Sequence, residues 1–428
     1  MSLKALRAVT AKAVKDYNHG IVKANANTLK HKIAFDSPQL TYMFGGFSYD
    51  RIHQAFGPES SGKSSIYTYI AGQLQKKMPE EIERLAKVAE DEGDKEKATK
   101  IRTDFADKQV VIYLDYERTF DPEYAEALGL NCDEDHFILI QADSLEDGFN
   151  MIDPMVKSGS ICCVIFDSDA AAPTNLDNES EVGSTGFNGA KGANTLKEVY
   201  KHFNILASNY LTPLLVVSQE RANMNVMSHL PSQTGGTAVK FFASTRNRIT
   251  KIDQLKDNSG NDAGIQIRVR NYKNKTGTPW RDAVMNLYFD RGFDSDAEYF
   301  DFLSEFGLIT KGNGGVYSAD FWNESTGVPT GKIRGAANAL AWFQDPAHRD
   351  IYESLKVKVN EKLMSKNELD ADSVNPEINE IEEVAKEKNI STSKLAEEAL
   401  NASKEEEALE KEVVSSTDTE ETPPDLGL

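Results

Sequence analysis

Gly57-Pro58-Glu59-Ser60-Ser61-Gly62-Lys63-Ser64 fits the pattern G-x-x-x-x-G-K-[ST] at every fixed position. In a loop of this kind, backbone N–H groups close around nucleotide phosphates at the positive end of the following helix. The lysine, here Lys63, reaches the β- and γ-phosphates, and the hydroxyl of Ser64 ligates Mg²⁺. Such a motif needs a strand before it and a helix after it. Arg51 to Phe56 reads as a short buried strand and Ser65 to Gln75 as a helix, so the context is present and a chance Gly/Ser-rich turn is the lesser alternative.

Hydrolysis requires further groups: an acid that orients the metal and a group that places water. Asp167 ends the apolar run Ile161-Cys162-Cys163-Val164-Ile165-Phe166, at the carboxyl end of a strand, where a metal-orienting carboxylate belongs. The alternative is an acid that caps the next segment. Glu117 follows the run Gln109 to Asp115 in the same way and can serve as a general base, although composition alone does not separate that role from a surface acid. Gln219 ends Pro213 to Ser218. Its amide can contact a γ-phosphate, or be a buried and satisfied glutamine.

The elements that must hold these residues alternate along the chain. Apolar, β-rich runs at 51–56, 109–115, 136–140, 161–167, 213–218, 246–252, 264–272 and 284–289 are separated by amphipathic stretches. That rhythm predicts an α/β fold with a mainly parallel twisted sheet and antiparallel strands at its far edge. Residues 1–34 read as an N-terminal arm or helix and 35–295 as the ATPase core. Within the core, 76–107 is so charged that it reads as a solvent-facing helical insertion. A small α+β unit follows over 296–362, with Phe302, Leu303, Phe306, Leu308, Ile309, Tyr317, Leu340, Trp342 and Phe343 as its apolar positions. The remainder, 363–428, reads as an acidic, largely mobile tail.

Charge is unevenly spread over the 428 residues. The whole chain has 48 Lys and Arg against 68 Asp and Glu, a net of −20. Residues 366–428 hold 6 of those bases and 19 of those acids, a net of −13, which leaves only −7 for residues 1–365. The body can therefore carry a local basic channel for a polyanion. No run approaches the roughly 18 apolar residues of a membrane helix, and the first twenty residues lack the apolar centre of a signal peptide, which points to a cytoplasmic protein. Cys132, Cys162 and Cys163 supply neither a zinc spacing nor a disulfide framework.

Several longer stretches occur together: GPESSGKS, Leu114 to Ala125 (LDYERTFDPEYA), Phe166 to Ala171 (FDSDAA), Thr234 to Arg246 (TGGTAVKFFASTR), Lys273-Asn274-Lys275, and Gly331 to Trp342. In this order and approximate spacing they resemble RecA-type DNA recombinases over about residues 35–360, and the chain is similar to a divergent, bacteriophage-like member. The resemblance implies a RecA-like P-loop NTPase core with a small C-terminal DNA-gathering domain, using ATP and Mg²⁺. It implies that Glu117 activates water, that Asp121 and Tyr124 contact the adenine, and that Gln219 senses the γ-phosphate. Lys273 and Lys275 would reach the ATP of a neighbouring subunit in a homo-oligomeric helical filament. Single-stranded DNA would meet two loops, about 178–191 and 220–233, through Arg221, Met224, Val226 and Met227, with Gly235 and Gly236 just beyond. Lys332 and Arg334 would gather duplex DNA. The insertion at 76–107 has no counterpart in typical bacterial members. Two other readings are a ring-forming DNA motor of the same fold and a DNA-binding scaffold that uses ATP only as a switch.

Overall fold

The structure, a computed structural model, describes residues 31–179, 188–221, 232–233, 238–257 and 259–364. Its centre is one large sheet, because several successive runs are apolar at every position and must be covered on both faces. In spatial order the strands are β12 (Gly292–Phe293), β11 (Asp282–Tyr288), β10 (Asp262–Asn274), β9 (Thr245–Lys256), β3 (Ile52–Gly57), β7 (Leu214–Arg221), β6 (Ile161–Asp167), β4 (Val110–Asp115) and β5 (Phe137–Ile140). From β9 to β5 the pairing is parallel, and from β9 outward to β12 it is antiparallel. The short β8 (Ser232–Gln233) pairs antiparallel with β7. This is the arrangement that the alternation of runs predicts, with antiparallel strands on one edge.

The period-2 geometry of the strands sorts their side chains between two cores. Val111, Tyr113, Cys163, Ile165, Leu215 and Val217 face one side, where Ile66, Ile70 and Leu74 of α2 (Lys63–Asp91) cover them. Ile112, Leu114, Val164, Phe166, Leu214 and Val216 face the other, beneath α5 (Leu145–Lys157) and α7 (Asn188–Tyr210). At the base of this second layer the fully buried Lys108 donates to the carbonyls of Ile161 (2.7 Å) and Tyr210 (2.6 Å) and to Thr212 Oγ1 (3.2 Å). Burial pushes its ammonium down to about 7.

The charged stretch is helical and largely solvent-exposed, as its composition implies, but it is built into the element that carries the phosphate loop. The helix that follows the phosphate loop does not stop near Gln75 but runs unbroken to Asp91, and α3 (Lys95–Asp104) folds back on it. One stripe of this hairpin is apolar: Met78, Ile82, Ala86, Ala89 and Ala98 are buried. Tyr49 donates to Glu81 at 2.5 Å, and Arg102 bridges Glu83 and Glu90 across the two helices. The many charges hid the stripe, because alanine at helical spacing is a weak apolar signal.

A two-stranded ribbon, β1 (Lys32–Ile33) and β2 (Phe47–Ser48), and the helix between them, α1 (Pro38–Phe44), link the body to the small unit. That unit contains α9 (Ser295–Glu305), the antiparallel strands β13 (Thr310–Lys311), β14 (Val316–Ser318) and β15 (Lys332–Arg334), and the helices α10 (Ala336–Gln344) and α11 (Arg349–Met364). Its core is rich in aromatic rings, including Tyr299, Phe300, Phe302, Tyr317, Trp322, Phe343 and Tyr352. Ser37 caps α1, accepting from Leu40 N, and donates to Glu298 Oε2 of α9 at 2.6 Å. Burial pushes the Glu298 carboxyl up to about 7, against the Ser37 hydrogen bond.

Candidate nucleotide site

Strand β3 delivers the phosphate loop to the carboxyl edge of the parallel strands. Gly57 leaves the strand at φ 153, where a Cβ would lie 2.1 Å from the carbonyl oxygen of Ile249 on β9. Only glycine lets the two backbones approach so closely. Gly62, at φ 90, turns the chain into α2, and Ser60 also takes a left-handed conformation at φ 55. Lys63 opens that helix and turns its ammonium back on the loop, donating to Gly57 O (3.1 Å) and Pro58 O (2.5 Å). Ser61 closes the turn by donating to Pro58 O at 2.8 Å. Burial lowers the Lys63 pKa, with Asp167, Glu117, Glu220 and Glu59 opposing the shift.

Two acids from neighbouring parallel strands converge on this loop. Asp167 ends β6 and accepts from Tyr113 Oη of β4 at 2.6 Å. Burial raises its pKa, opposed by hydrogen bonds from Ser64 and Tyr113. No helix starts after Asp167 until α6 (Asn175–Glu179), so it does not serve as a helix cap. Its other oxygen, Oδ1, is buried without a hydrogen-bond partner among the described residues. A buried carboxylate oxygen in that state beside a serine hydroxyl suits a hard cation with oxygen ligands.

Glu117 lies just past β4, and its Oε1 accepts from Gln219 Nε2 at 2.9 Å and from Ser168 Oγ at 2.6 Å. Gln219 does not end its strand, since β7 runs on to Arg221. Asp115 instead holds the turn after β4, accepting from Phe120 N at 3.2 Å and Gln141 Nε2 at 3.0 Å. Asp121 caps α4 (Pro122–Ala127), accepting from Tyr124 N, and Tyr124 Oη donates to Ser65 Oγ at 3.0 Å. Tyr124 is thereby brought against the helix that carries the loop. The structure thus gathers Gly57 to Ser65, Glu117, Tyr124, Asp167 and Gln219 around one place.

Lys273 and Lys275 are not brought there. Lys273 pairs in register with Arg246, and Arg246 with Gln54, while Lys275 N donates to Ser244 O, so both lysines lie toward the opposite end of β3 from Gly57. Lys273 Nζ donates to the carbonyls of Lys240 and Phe241, at the end of α8 (Ala238–Phe242), and Lys275 Nζ donates to Phe241 O at 3.3 Å. Burial, with Lys275 and Arg246 nearby, lowers the Lys273 pKa to about 8. Lys332 and Arg334 are exposed on one face of β15, and Ile333 between them packs on the core of the small unit. Arg221 ends β7, whereas Met224, Val226, Met227, Gly235 and Gly236 lie outside the described residues.

Sequence reasoning missed Tyr113, Ser168 and Asp169. A tyrosine within an apolar strand reads as core, and FDSDAA singles out Asp167 by its place at the strand end but gives no partner for Ser168 or Asp169. It also missed a cluster on the antiparallel strands, where Arg248, Arg268, Arg270 and Tyr272 line a cavity of about 60 Å³. Arg248 pairs there with Glu220 at 3.0 Å, and Arg270 with Asp282 at 2.9 Å.

Comparison with known proteins agrees with this geometry. Residues 89–294 match the RecA N-terminal domain, a span that takes in β4 to β12 and with them Glu117, Asp167, Gln219, Lys273 and Lys275. The RecA protein of Lactobacillus acidophilus is 27% identical over 347 residues, covering 81% of this chain and 83% of that protein. Protein RecA of Streptomyces venezuelae is 28% identical over 367 residues, covering 84% and 85%. Protein RecA of Lactococcus lactis subsp. cremoris is 27% identical over 367 residues, covering 83% of each. Beside the sheet order and the phosphate loop stand these matches: the chain is similar to RecA proteins over more than four-fifths of its length.

Proposed function

We propose that this protein is an ATP-dependent DNA recombinase that forms filaments on single-stranded DNA, pairs that strand with duplex DNA and exchanges strands. The observation that carries this reading is the joint hold of Gln219 and Ser168 on Glu117, beside Lys63 and Asp167. Ser64 and Asp167 would hold Mg²⁺, which neutralises developing charge on the phosphates when bound. Lys63 exchanges its two loop carbonyls for phosphate oxygens. Glu117 accepts a proton from the attacking water at its carboxylate, and Gln219 is placed to exchange its Glu117 contact for the γ-phosphate. Tyr124 and Asp121 flank the base.

The separation of Lys273 and Lys275 from the loop of their own chain supports a role in a neighbouring subunit, with nucleotide between protomers. Assembly would then depend on ATP. Lys332 and Arg334, exposed on the small unit, suit sequence-independent contact to duplex phosphates. The test is phosphate release from ATP with and without single-stranded DNA, read alongside electron micrographs. DNA-stimulated release together with helical filaments is expected; release without DNA dependence, or closed rings, would overturn the reading.

A further inference from the structure

Four buried or half-buried polar side chains cross the middle of the sheet in a single line of hydrogen bonds. Arg246 Nε on β9 donates to Gln54 Oε1 on β3 at 2.7 Å. Gln54 Nε2 donates to Ser218 Oγ on β7 at 2.8 Å. Ser218 Oγ donates to Asp169 Oδ2, just past β6, at 2.8 Å. Every donor points the same way. The amide orientation of Gln54 is therefore fixed by its two neighbours, and the line joins a guanidinium to a carboxylate through two neutral groups. Gln54 and Ser218 are fully buried and Asp169 is 4% exposed, so water does not compete for these bonds. Arg246 is steadied on its other side by the Phe56 ring, 5.0 Å away. Packing alone does not call for this arrangement, because apolar residues would fill central strands at lower desolvation cost.

The two ends of the line explain its presence. Ser218 and Asp169 are the chain neighbours of Gln219 and Ser168, the two residues that grip Glu117. Asp169 N also donates to Val217 O at 3.2 Å, which ties the turn after β6 to β7. At the far end, Arg246 is the register partner of Lys273. We propose that Gln54, Ser218 and Asp169, anchored by Arg246, are positioning residues that set Gln219 and Ser168 on Glu117, and so fix the water-activating carboxylate from the side of the sheet that carries Lys273. This rests on the reading of Glu117 as the general base.

The test uses the full chain. Gln54→Glu keeps the size of the side chain and its bond to Arg246 but removes the donor to Ser218; Ser218→Ala removes both links that Ser218 makes, to Gln54 and to Asp169, and Ser218→Thr restores the hydroxyl. Both breaking variants should lower the single-stranded-DNA-stimulated kcat about tenfold, a loss typical of a misplaced catalytic group, with KM for ATP within about twofold. Ser218→Thr should recover most of the rate. In a Glu117→Gln background neither breaking variant should lower the residual rate further, because its route of action is already gone. Unchanged kcat in Gln54→Glu and Ser218→Ala, or equal losses in the presence and absence of Glu117, would overturn the proposal. A wild-type chain that releases no phosphate in response to DNA would instead overturn the function on which it rests. Should Ser218→Ala fail to fold, the isosteric Gln54→Glu carries the same comparison alone.

Discussion

Glu117 is held beside the phosphate loop by a primary amide and a hydroxyl, both of them donors. Both bonds fall on Oε1 and orient the carboxylate. Glu117→Gln should therefore lower turnover by about 100-fold or more while ATP and DNA binding persist, measured by phosphate release and by equilibrium nucleotide binding. Loss of ATP binding would assign Glu117 to the nucleotide instead. Tyr113 acts one step behind Asp167, donating at 2.6 Å to one oxygen, while the other, without a hydrogen-bond partner among the described residues, is the proposed cation ligand. Tyr113→Phe should raise the Mg²⁺ needed for tight binding of a fluorescent ATP analogue about tenfold, the scale seen when a partner of a metal ligand is removed. An unchanged Mg²⁺ titration would reduce the tyrosine to packing.

At the scale of elements, the parallel strands were legible because burial on both faces leaves runs such as Ile161 to Phe166 with no polar interruption. The phosphate loop was legible because few sequences meet its spacing. The contact between Glu117 and Gln219 was not, since it joins residues 102 apart and depends on which strands become neighbours. Gln54 was equally opaque, a lone amide whose partners come from two other strands. The length of α2 was hidden by its lysines and glutamates. Strand order also gives the lysines their prediction: Lys273 and Lys275 sit at the wrong end of β3 to serve their own loop. A Lys273→Ala/Lys275→Ala protein mixed with a Lys63→Ala protein should regain part of the ATPase rate, because a mixed interface joins an intact loop to intact lysines. Mixtures that never exceed the sum of the separate rates would remove the support for action across an interface.

At the scale of the whole molecule, the body and the small unit meet through Ser37 and Glu298. The carboxyl of Glu298 is raised from 4.5 to about 7 in the folded chain. Between those values the folded state binds the proton more tightly than the unfolded one, so this group's contribution to stability is greatest below about pH 4.5 and falls as pH rises toward 7. Glu298→Gln removes that dependence. Relative to the wild type it should gain up to about 3 kcal/mol between pH 4.5 and 7, read by denaturant unfolding across the range. Parallel curves for the two proteins would refute the buried, uncharged state. Residues 366–428 place a net of −13 on a chain proposed to bind a polyanion. Truncation after Met364 should strengthen duplex binding at low salt, with the gain vanishing as salt rises, in a fluorescence titration. Equal affinities throughout would leave the segment with no part in DNA competition. The ribbon that begins at Lys32 has a further bearing on that segment. Both Met364 and Lys32 lie within about 3.3 Å of a Cβ built on Gly46, so the chain enters and leaves the described fold at one corner. Residues 1–30, with six bases and one acid, and residues 366–428 are thus tethered to a common point with opposite charge. Removing either segment therefore changes, at every protein concentration, the balance of charge attached at that corner of the fold.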